Sequence, residues 1–354
     1  MRADIIGWDI GGAHLKVAHL TSDGLIKSAH QFVCPLWKGM NYLHAAIEAA
    51  RHELGFQSLN QCQHSVTMTA ELVDLFDDRD QGVNEILTLL GECIDPDRLW
   101  IFCGRDGLLA MNQITQIQYQ VIASANWLAT AMLIAERSQS GLLIDVGSTT
   151  TDIVAIENNQ VISSAVSDYE RLLTDELVYT GVVRTPVIAV SHYGYFQGDK
   201  VPLMAEVFAT MADIYRIINE LPAHADQGET ADGKAKSSEA SLSRLARMIG
   251  LDQHSAPMSD WVMLARYLRA KQLDTIKQAA DKVLLTMTMT ETGVTIIGAG
   301  VGRFLVRDVA LQCELEYQDF TEIIHFETQD QNISYAADYA PAVAVACLLH
   351  KQLS

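Results

Sequence analysis

Between Asp4 and Leu20 the apolar residues form two short runs, the second ("LKVAHL") alternating with polar positions, and Gly11-Gly12 separates them. Ser22-Asp23-Gly24 then turns the chain again. This spacing predicts a β-hairpin, not a strand that feeds a helix. Apolar positions three and four residues apart predict helices over "GMNYLHAAIEAARHELG", "NEILTLLGECI" and Asn126 to Ser138, with "RLWIFC" a strand before the last of them. "HSVTMTAELVDLF" opens as a strand and is expected to pass into a helix at Ala70.

At Gly141 the first pattern returns: "GLLIDVGSTTTDIVAIENNQV" reads as strand, Asp, glycine-containing polar turn, strand and an Asn-Asn hairpin signal. A motif that opens each half of the chain predicts two similarly folded lobes whose turns face each other across a cleft. Helical spacing continues over Met204 to Leu221, Leu242 to Met248, around Trp261 to Arg269 and over Leu273 to Thr286. His224 to Ser241 is small, polar and long for a loop inside a compact domain. "GVTIIGAGVGRFLVRDVALQC" predicts a strand, a glycine-rich turn and a helix, "TEIIHF" another strand, and "YAPAVAVACLLHKQL" a terminal helix. The fold class is α/β. The expected domains are 1–138 with the first hairpin, 139–337 with the second hairpin and the late glycine cluster, and a terminal helix over 338–354 packing back on the first lobe.

Composition narrows the classes of function. A chain of 354 residues exceeds what one core usually organises, and 49% hydrophobic with 19% charged residues is the balance of a folded globular protein. The formal charge of -19, with no Lys/Arg cluster, repels a phosphate backbone and argues against a nucleic-acid partner. No apolar run approaches the ~20 residues of a membrane span, so a soluble protein with no membrane partner is expected. The start of the chain has no basic segment followed by an apolar stretch, and the six scattered cysteines form no CxxC pair. A cytoplasmic location is the resulting expectation. Self-association into a homo-oligomer is left open.

The chemistry-bearing candidates lie at the turns. Asp9 and Asp145 each end a buried-looking strand, where a carboxylate is costly unless it is paired or bound to a cation. Mg2+ (or Mn2+) fits such a place, because it takes one or two carboxylates and completes its shell with water and phosphate oxygens. Asp152 is a candidate third carboxylate. Gly11, Gly12 and Gly147, with the hydroxyls of Ser148, Thr149, Thr150 and Thr151, can bring N–H and O–H donors to the same oxygens. The alternative for either turn is an ordinary hairpin. Gly298-Ala299-Gly300-Val301-Gly302 follows a strand and precedes a helix, but Arg303 stands where a dinucleotide fingerprint needs its last glycine. It suits an anion or ribose at a helix start, or tight strand-to-helix packing. Lys16 either adds a cation to this site or turns to solvent.

Together "DIGGAHLK", "DVGSTTTD" and "GAGVGRF" resemble the phosphate-facing segments of the actin-like ATPase, hexokinase and Hsp70 superfamily. That resemblance implies a two-lobed actin-like ATPase (ribonuclease H-like) fold with a cleft between the lobes. "WDIGGAHLK", "TMTAELVDLF", "ANWLATA", "LLIDVGSTTTDIV", "DELVYTGVVRTPV", "AEVFATMADIYRI", "TADGK" and "LARMIG" go further. Along nearly the whole chain they resemble the tetrahydromethanopterin-linked C1-transfer pathway proteins, relatives of hydantoinase A and oxoprolinase. Archaeal members of that family are methanofuran-biosynthesis synthases, which join an aminomethylfuran-methanol diphosphate to the phenol of γ-glutamyltyramine and release diphosphate.

The resemblance therefore implies a small-molecule alkyl transfer, with a tyrosine-type phenol as the other candidate acceptor. A phenol must lose its proton, so a nearby carboxylate or imidazole is expected, and Glu71, Asp175, Glu176 and His14 are the candidates. In "DELVYTGVVRTPV" Tyr179, Thr180, Arg184 and Thr185 bunch polar groups beside Gly181. Arg184 could fork onto a phosphate or a glutamyl carboxylate, or form a surface ion pair. Asp232, Gly233 and Lys234 are candidates for a lid over the substrate, or for a plain mobile loop. Two other functions stay open: an ATP-dependent kinase or hydrolase with Asp9 and Asp145 on the metal, and a non-catalytic phosphate or nucleotide sensor.

Overall fold

A computed structural model of the chain describes residues 3–163, 165–288, 293–327 and 331–354. Two compact units emerge: Met1–Gly141, Ile156–Asp168 and Asp319–Ser354 form unit 1, and Leu142–Ala155 with Tyr169–Gln318 form unit 2.

Unit 1 is built on the predicted hairpin. β1 (Ile5–Ile10) pairs antiparallel with β2 (His14–Leu20), which pairs with β3 (Ile26–Val33). On its other edge β1 runs parallel to β4 (Gln63–Met68), which is followed by β5 (Leu99–Phe102) and β6 (Leu108–Ala110), giving the order β3-β2-β1-β4-β5-β6. α1 (Met40–Glu53) and α2 (Arg79–Cys93) cover one face. There Leu43, Ile47, Val83, Ile86 and Leu90 pack with Ile6, Trp8, Ile10, Val66 and Met68. α3 (Tyr119–Ile122) leads into α4 (Asn126–Ala135), whose mostly apolar sequence is buried almost throughout.

Unit 2 repeats the plan. β7 (Ser140–Val146) and β8 (Thr151–Glu157) form the second hairpin, while the last two residues of β8 and β9 (Gln160–Val161), which pairs with them, belong to unit 1. After α5 (Asp168–Leu173), β10 (Leu177–Val178) pairs with the start of β8. α6 (Val187–Val190) precedes a separate ribbon of β11 (Tyr193–Phe196) and β12 (Asp199–Pro202). Three helices follow, α7 (Met211–Ile217), α8 (Ser238–Arg247) and α9 (Met258–Leu284). β13 (Thr295–Ala299), α10 (Arg303–Gln312) and β14 (Glu316–Asp319) complete the sheet order β10-β8-β7-β13-β14. Each hairpin thus borders a later strand on its first-strand side, and the recurrence predicted from sequence is present in the strand order of both sheets. This is the actin-like, ribonuclease H-like plan. The last helix, α11 (Ala340–Gln352), packs against β1, β2, β4 and α4 within unit 1. Among the described residues no helix is long and apolar enough to cross a membrane.

Four expectations about elements need correction. Beyond Thr69 the chain makes one 3-10 turn, Ala70–Leu72, and not a helix, so Glu71 is buried at the end of β4. α7 begins at Met211 and not at Met204, because the Asp213 carboxylate caps the Thr210 N–H and starts the helix there. The two helices expected over 261–286 are one, α9. Gln272 interrupts the apolar stripe in sequence but is fully buried, its amide donating to Thr180 Oγ1 and the Gly181 carbonyl and accepting from Tyr215. "TEIIHF" is not a strand. Asp319 and Glu322 cap a 3-10 turn over Phe320–Glu322, and Phe326 makes only a single bridge to Ile26.

Candidate functional site

The first hairpin turn is closed by Gly11 N–H donating to the His14 carbonyl at 3.0 Å, while the Gly12 carbonyl accepts from Leu36 N–H. Cross-strand partners share a face, and Asp9 is opposite Lys16 in β2 and Thr67 in β4. Asp9 is only 2% exposed, so its charge needs partners. Lys16 Nζ lies 3.3 Å from Oδ2, and Asn126 at the start of α4 donates to Oδ1 at 3.3 Å. The Lys16 ammonium is directed to the Asp9 carboxylate, with its side chain 28% exposed. His14 sits at the first position of β2, half-buried.

A second constellation in unit 1 surrounds Glu71. Ser124 Oγ donates to Glu71 Oε1 at 2.9 Å, and the same hydroxyl is 3.2 Å from Asp168 Oδ2, which pairs with Arg79 Nη2 at 3.2 Å. Burial pushes the Glu71 carboxyl above the ordinary glutamate range. Its own backbone N–H, the Ser124 hydroxyl and Arg79 pull it back, and Asp168 pushes it up further. A buried carboxyl with these neighbours is a candidate for proton transfer.

In unit 2 three sequence-separated segments come together. Gly147 N–H donates to the Thr150 carbonyl at 2.9 Å and closes the second turn, with Ser148 and Thr149 hydroxyls 3.4 Å apart on it. The Ser148 carbonyl accepts from Val183 and Arg184 N–H, and Gly147 carbonyl from Val182 N–H, so the "TGVVRT" segment is laced onto the turn. A side chain at Gly181 would put its Cβ 2.5 Å from Ser148 C and Thr149 N, which makes glycine obligatory at this approach. Thr185 accepts from Gly181 N–H, and Thr151 donates to the Thr180 carbonyl. The late glycine cluster joins them: Gly300, at φ 80, presses on the end of β7, where a Cβ would lie 2.3 Å from Asp145 Oδ1, and Gly302 N–H donates to the Val146 carbonyl. Gly298 lies against the Tyr317 ring. Asp145, Gly147 to Thr150, and Gly298 to Gly302 therefore form one surface of backbone and hydroxyl groups, with α10 starting behind it.

Other candidates are placed elsewhere. Asp152 is held by buried Arg171 at 2.8 Å, so this oxygen already has its cation. Asp175, at φ 59, is in a 2.6 Å ion pair with exposed Lys282, and the Glu176 carbonyl accepts from Arg171 and Ile153 N–H. Tyr179 and the Arg184 side chain are exposed. Asp232 is bound by Arg244 at 3.0 Å and Arg247 at 3.4 Å, Gly233 is left-handed at φ 67, and the Lys234 carbonyl accepts from Thr230. The "TADGK" segment is thereby tied to α8. Among the described residues no three His, Cys, Asp or Glu side chains gather as a metal group. A carboxylate beside hydroxyls, as at Asp145, is the kind of group from which a Mg2+ ion completed by waters and substrate oxygens can draw. Sequence reading missed Ser124, Asp168, Arg79 and Asn126. Only Asn126, as the first helical residue of "ANWLATA", carried a local signal.

The profile of the hydantoinase/oxoprolinase family matches residues 63–342. A relative from Methanocaldococcus jannaschii, named (4-{4-[2-(gamma-L-glutamylamino)ethyl]phenoxymethyl}furan-2-yl)methanamine synthase, is 29% identical over 354 residues, covering 100% of this chain and 99% of its own. A protein of the same name from Methanococcus vannielii is 29% identical over 60% of this chain and 92% of its own. Among solved structures, nucleotide-free acetone carboxylase superposes with a TM-score of 0.54 at 10% identity, over 98% of this chain and 70% of that one, a likeness of fold alone.

Proposed function

This chain belongs to the hydantoinase/oxoprolinase family, and from that premise we propose that it is a transferase that builds an aryl ether in methanofuran-type cofactor synthesis. The substrates are a furanylmethyl diphosphate of the 5-aminomethyl-3-furanmethanol type and the phenol of a γ-glutamyltyramine- or tyrosine-type acceptor. The observation that carries this reading is the end-to-end match to a synthase whose name describes a phenoxymethyl link between a phenol and an aminomethylfuran. The phenol oxygen bonds to the furanyl methylene carbon, the bond from that carbon to the diphosphate oxygen breaks, and the phenol proton passes to a base. Charge builds on the departing oxygens. Backbone N–H groups and the Ser148, Thr149 and Thr150 hydroxyls, next to the Gly298 to Gly302 turn, supply fixed donors for it. Mg2+ or Mn2+ bound at Asp145 would add Lewis-acid stabilisation of the leaving group. Glu71 is the base that the burial and hydrogen bonding in unit 1 favour.

The test is a mass-spectrometric turnover assay with Mg2+, offering the furanylmethyl diphosphate with tyramine, tyrosine and their γ-glutamyl forms, and ATP separately. Ether product with released diphosphate supports the proposal and names the acceptor. ADP without ether returns the chain to ATP chemistry. Asp145→Asn is expected to lower kcat roughly 100-fold or more with an unchanged thermal midpoint. Wild-type turnover in this variant would remove Asp145 from the site.

A further inference from the structure

Glu71 and Asp168 approach one hydroxyl. Ser124 Oγ is 2.9 Å from Glu71 Oε1 and 3.2 Å from Asp168 Oδ2, but a serine hydroxyl has a single proton to donate and serves one carboxylate at a time. Ser124 holds this place in a left-handed conformation, φ 51, which a non-glycine residue adopts at a cost on the order of 1 kcal/mol. Glu71 is 1% exposed, and its second oxygen, Oε2, meets no hydrogen-bond partner among the described residues. Buried polar atoms are rarely left so. Asp168, in contrast, has the Arg79 guanidinium beside it.

We infer that Ser124 is a positioning residue for proton transfer at Glu71: its hydroxyl donates to Glu71 while that carboxylate is charged, and turns to Asp168 when Glu71 takes up a proton. The proton arrives at and leaves from Glu71 Oε2. Ser124 keeps its own proton throughout, and no covalent bond to it forms or breaks. Arg79, from the first turn of α2, and Asp168, from α5, are the charged groups that act on Glu71, with opposite signs. Arg79 also pairs with Asp168 at 3.2 Å, next to the oxygen that would accept the rotated hydroxyl. The part this plays in turnover rests on the reading of Glu71 as the base for the phenolic acceptor, whereas the exchange of hydrogen-bond partner does not.

The experiment is a pH titration of the full chain labelled with carbon-13 at the glutamate carboxyls, the Glu71 resonance being the one lost in Glu71→Gln. Ser124→Ala removes a donor to the charged form and is expected to raise the Glu71 midpoint by about one pH unit. Asp168→Asn removes a neighbouring negative charge and is expected to lower it. Ser124→Thr keeps the hydroxyl and is expected to stay near wild type. If Ser124→Ala fails to fold, Ser124→Gly relieves the backbone strain and serves instead, with the same upward shift. An unmoved midpoint, or shifts of one sign in both the serine and aspartate variants, overturns the inference. In the ether-forming assay Ser124→Ala is expected to lose roughly ten-fold in kcat with little change in KM, and the acidic limb of its pH profile moves to higher pH. If the wild-type chain forms no ether, the functional reading fails and the titration alone decides the role of Ser124.

Discussion

Trp8 Nε1 donates to His64 Nδ1 at 3.0 Å, and His64 Nε2 donates to the Leu59 carbonyl at 2.8 Å, which fixes a neutral imidazole in the core of unit 1. Burial lowers its pKa from the ordinary 6.5 to about 4. The unfolded chain therefore binds a proton in this window that the folded chain refuses. The stability linked to His64 is full above pH 6.5 and is lost as the pH falls toward 4, an effect on the order of 3 kcal/mol. Urea unfolding across that range should show wild type losing more than His64→Asn, which begins less stable. Equal losses would mean that other groups carry the acid sensitivity. The same logic explains what was legible at this scale. Asp9 and Asp145 stand out in sequence because a carboxylate at the end of an apolar run demands a partner. Ser124, Arg79 and Asp168 do not, since each is an ordinary polar residue until the fold brings it to Glu71. Gln272, an amide that meets its partners only in the folded core, falls between the two helices expected there, which are one helix in the structure.

Three of the recognisable sequence segments owe their form to one ion network. Asp213 of α7 accepts from Arg244 Nε and Nη2 at 2.9 and 2.7 Å and from Ser241, with Arg216 at 3.3 Å. Arg216 continues to Asp226 and Arg244 to Asp232. The "ADIYR", "TADGK" and "SRLARMIG" segments are thus one cross-braced element, and the long polar loop that composition marks as open or lid-like is pinned at Asp226 and Asp232. Removing a partner from inside such a network strands a buried charge. Asp213→Ala, which leaves the fully buried Arg244 without its nearest carboxylate, is expected to cost about 3–5 kcal/mol. Asp232→Ala acts at the edge and should cost about 1 kcal/mol or less, while hydrogen exchange over 224–237 rises. A global loss as large as that of Asp213→Ala would place Asp232 in the core of the network. Element boundaries followed sequence pattern where one face is apolar and failed where caps decide. The start of α7 and the turn at Phe320 are both set by an acidic side chain three residues on, a signal present in "TMAD" and "DFTE" that apolar spacing does not register.

At the scale of the molecule, the repeated hairpin was the most legible feature, because the order of strands in each sheet follows from a motif of only a dozen residues. The charge was equally plain and has a less obvious consequence. If the substrate is the proposed furanylmethyl diphosphate, itself an anion, the long-range field of a chain with formal charge -19 opposes it and only local donors favour it. Repulsion of this kind is screened over about 10 Å at 0.1 M salt, whereas hydrogen bonds in the site are not. With free Mg2+ held constant, kcat/KM for the furanylmethyl diphosphate is expected to rise several-fold as monovalent salt increases from roughly 10 to 150 mM, while kcat changes little. The usual basic phosphate-binding surface gives the opposite slope, since salt weakens an attraction. A falling kcat/KM would therefore show that local cations dominate the field along the substrate's approach. Lys16→Gln should then steepen the rise if the net charge governs, and abolish the fall if the local cations do.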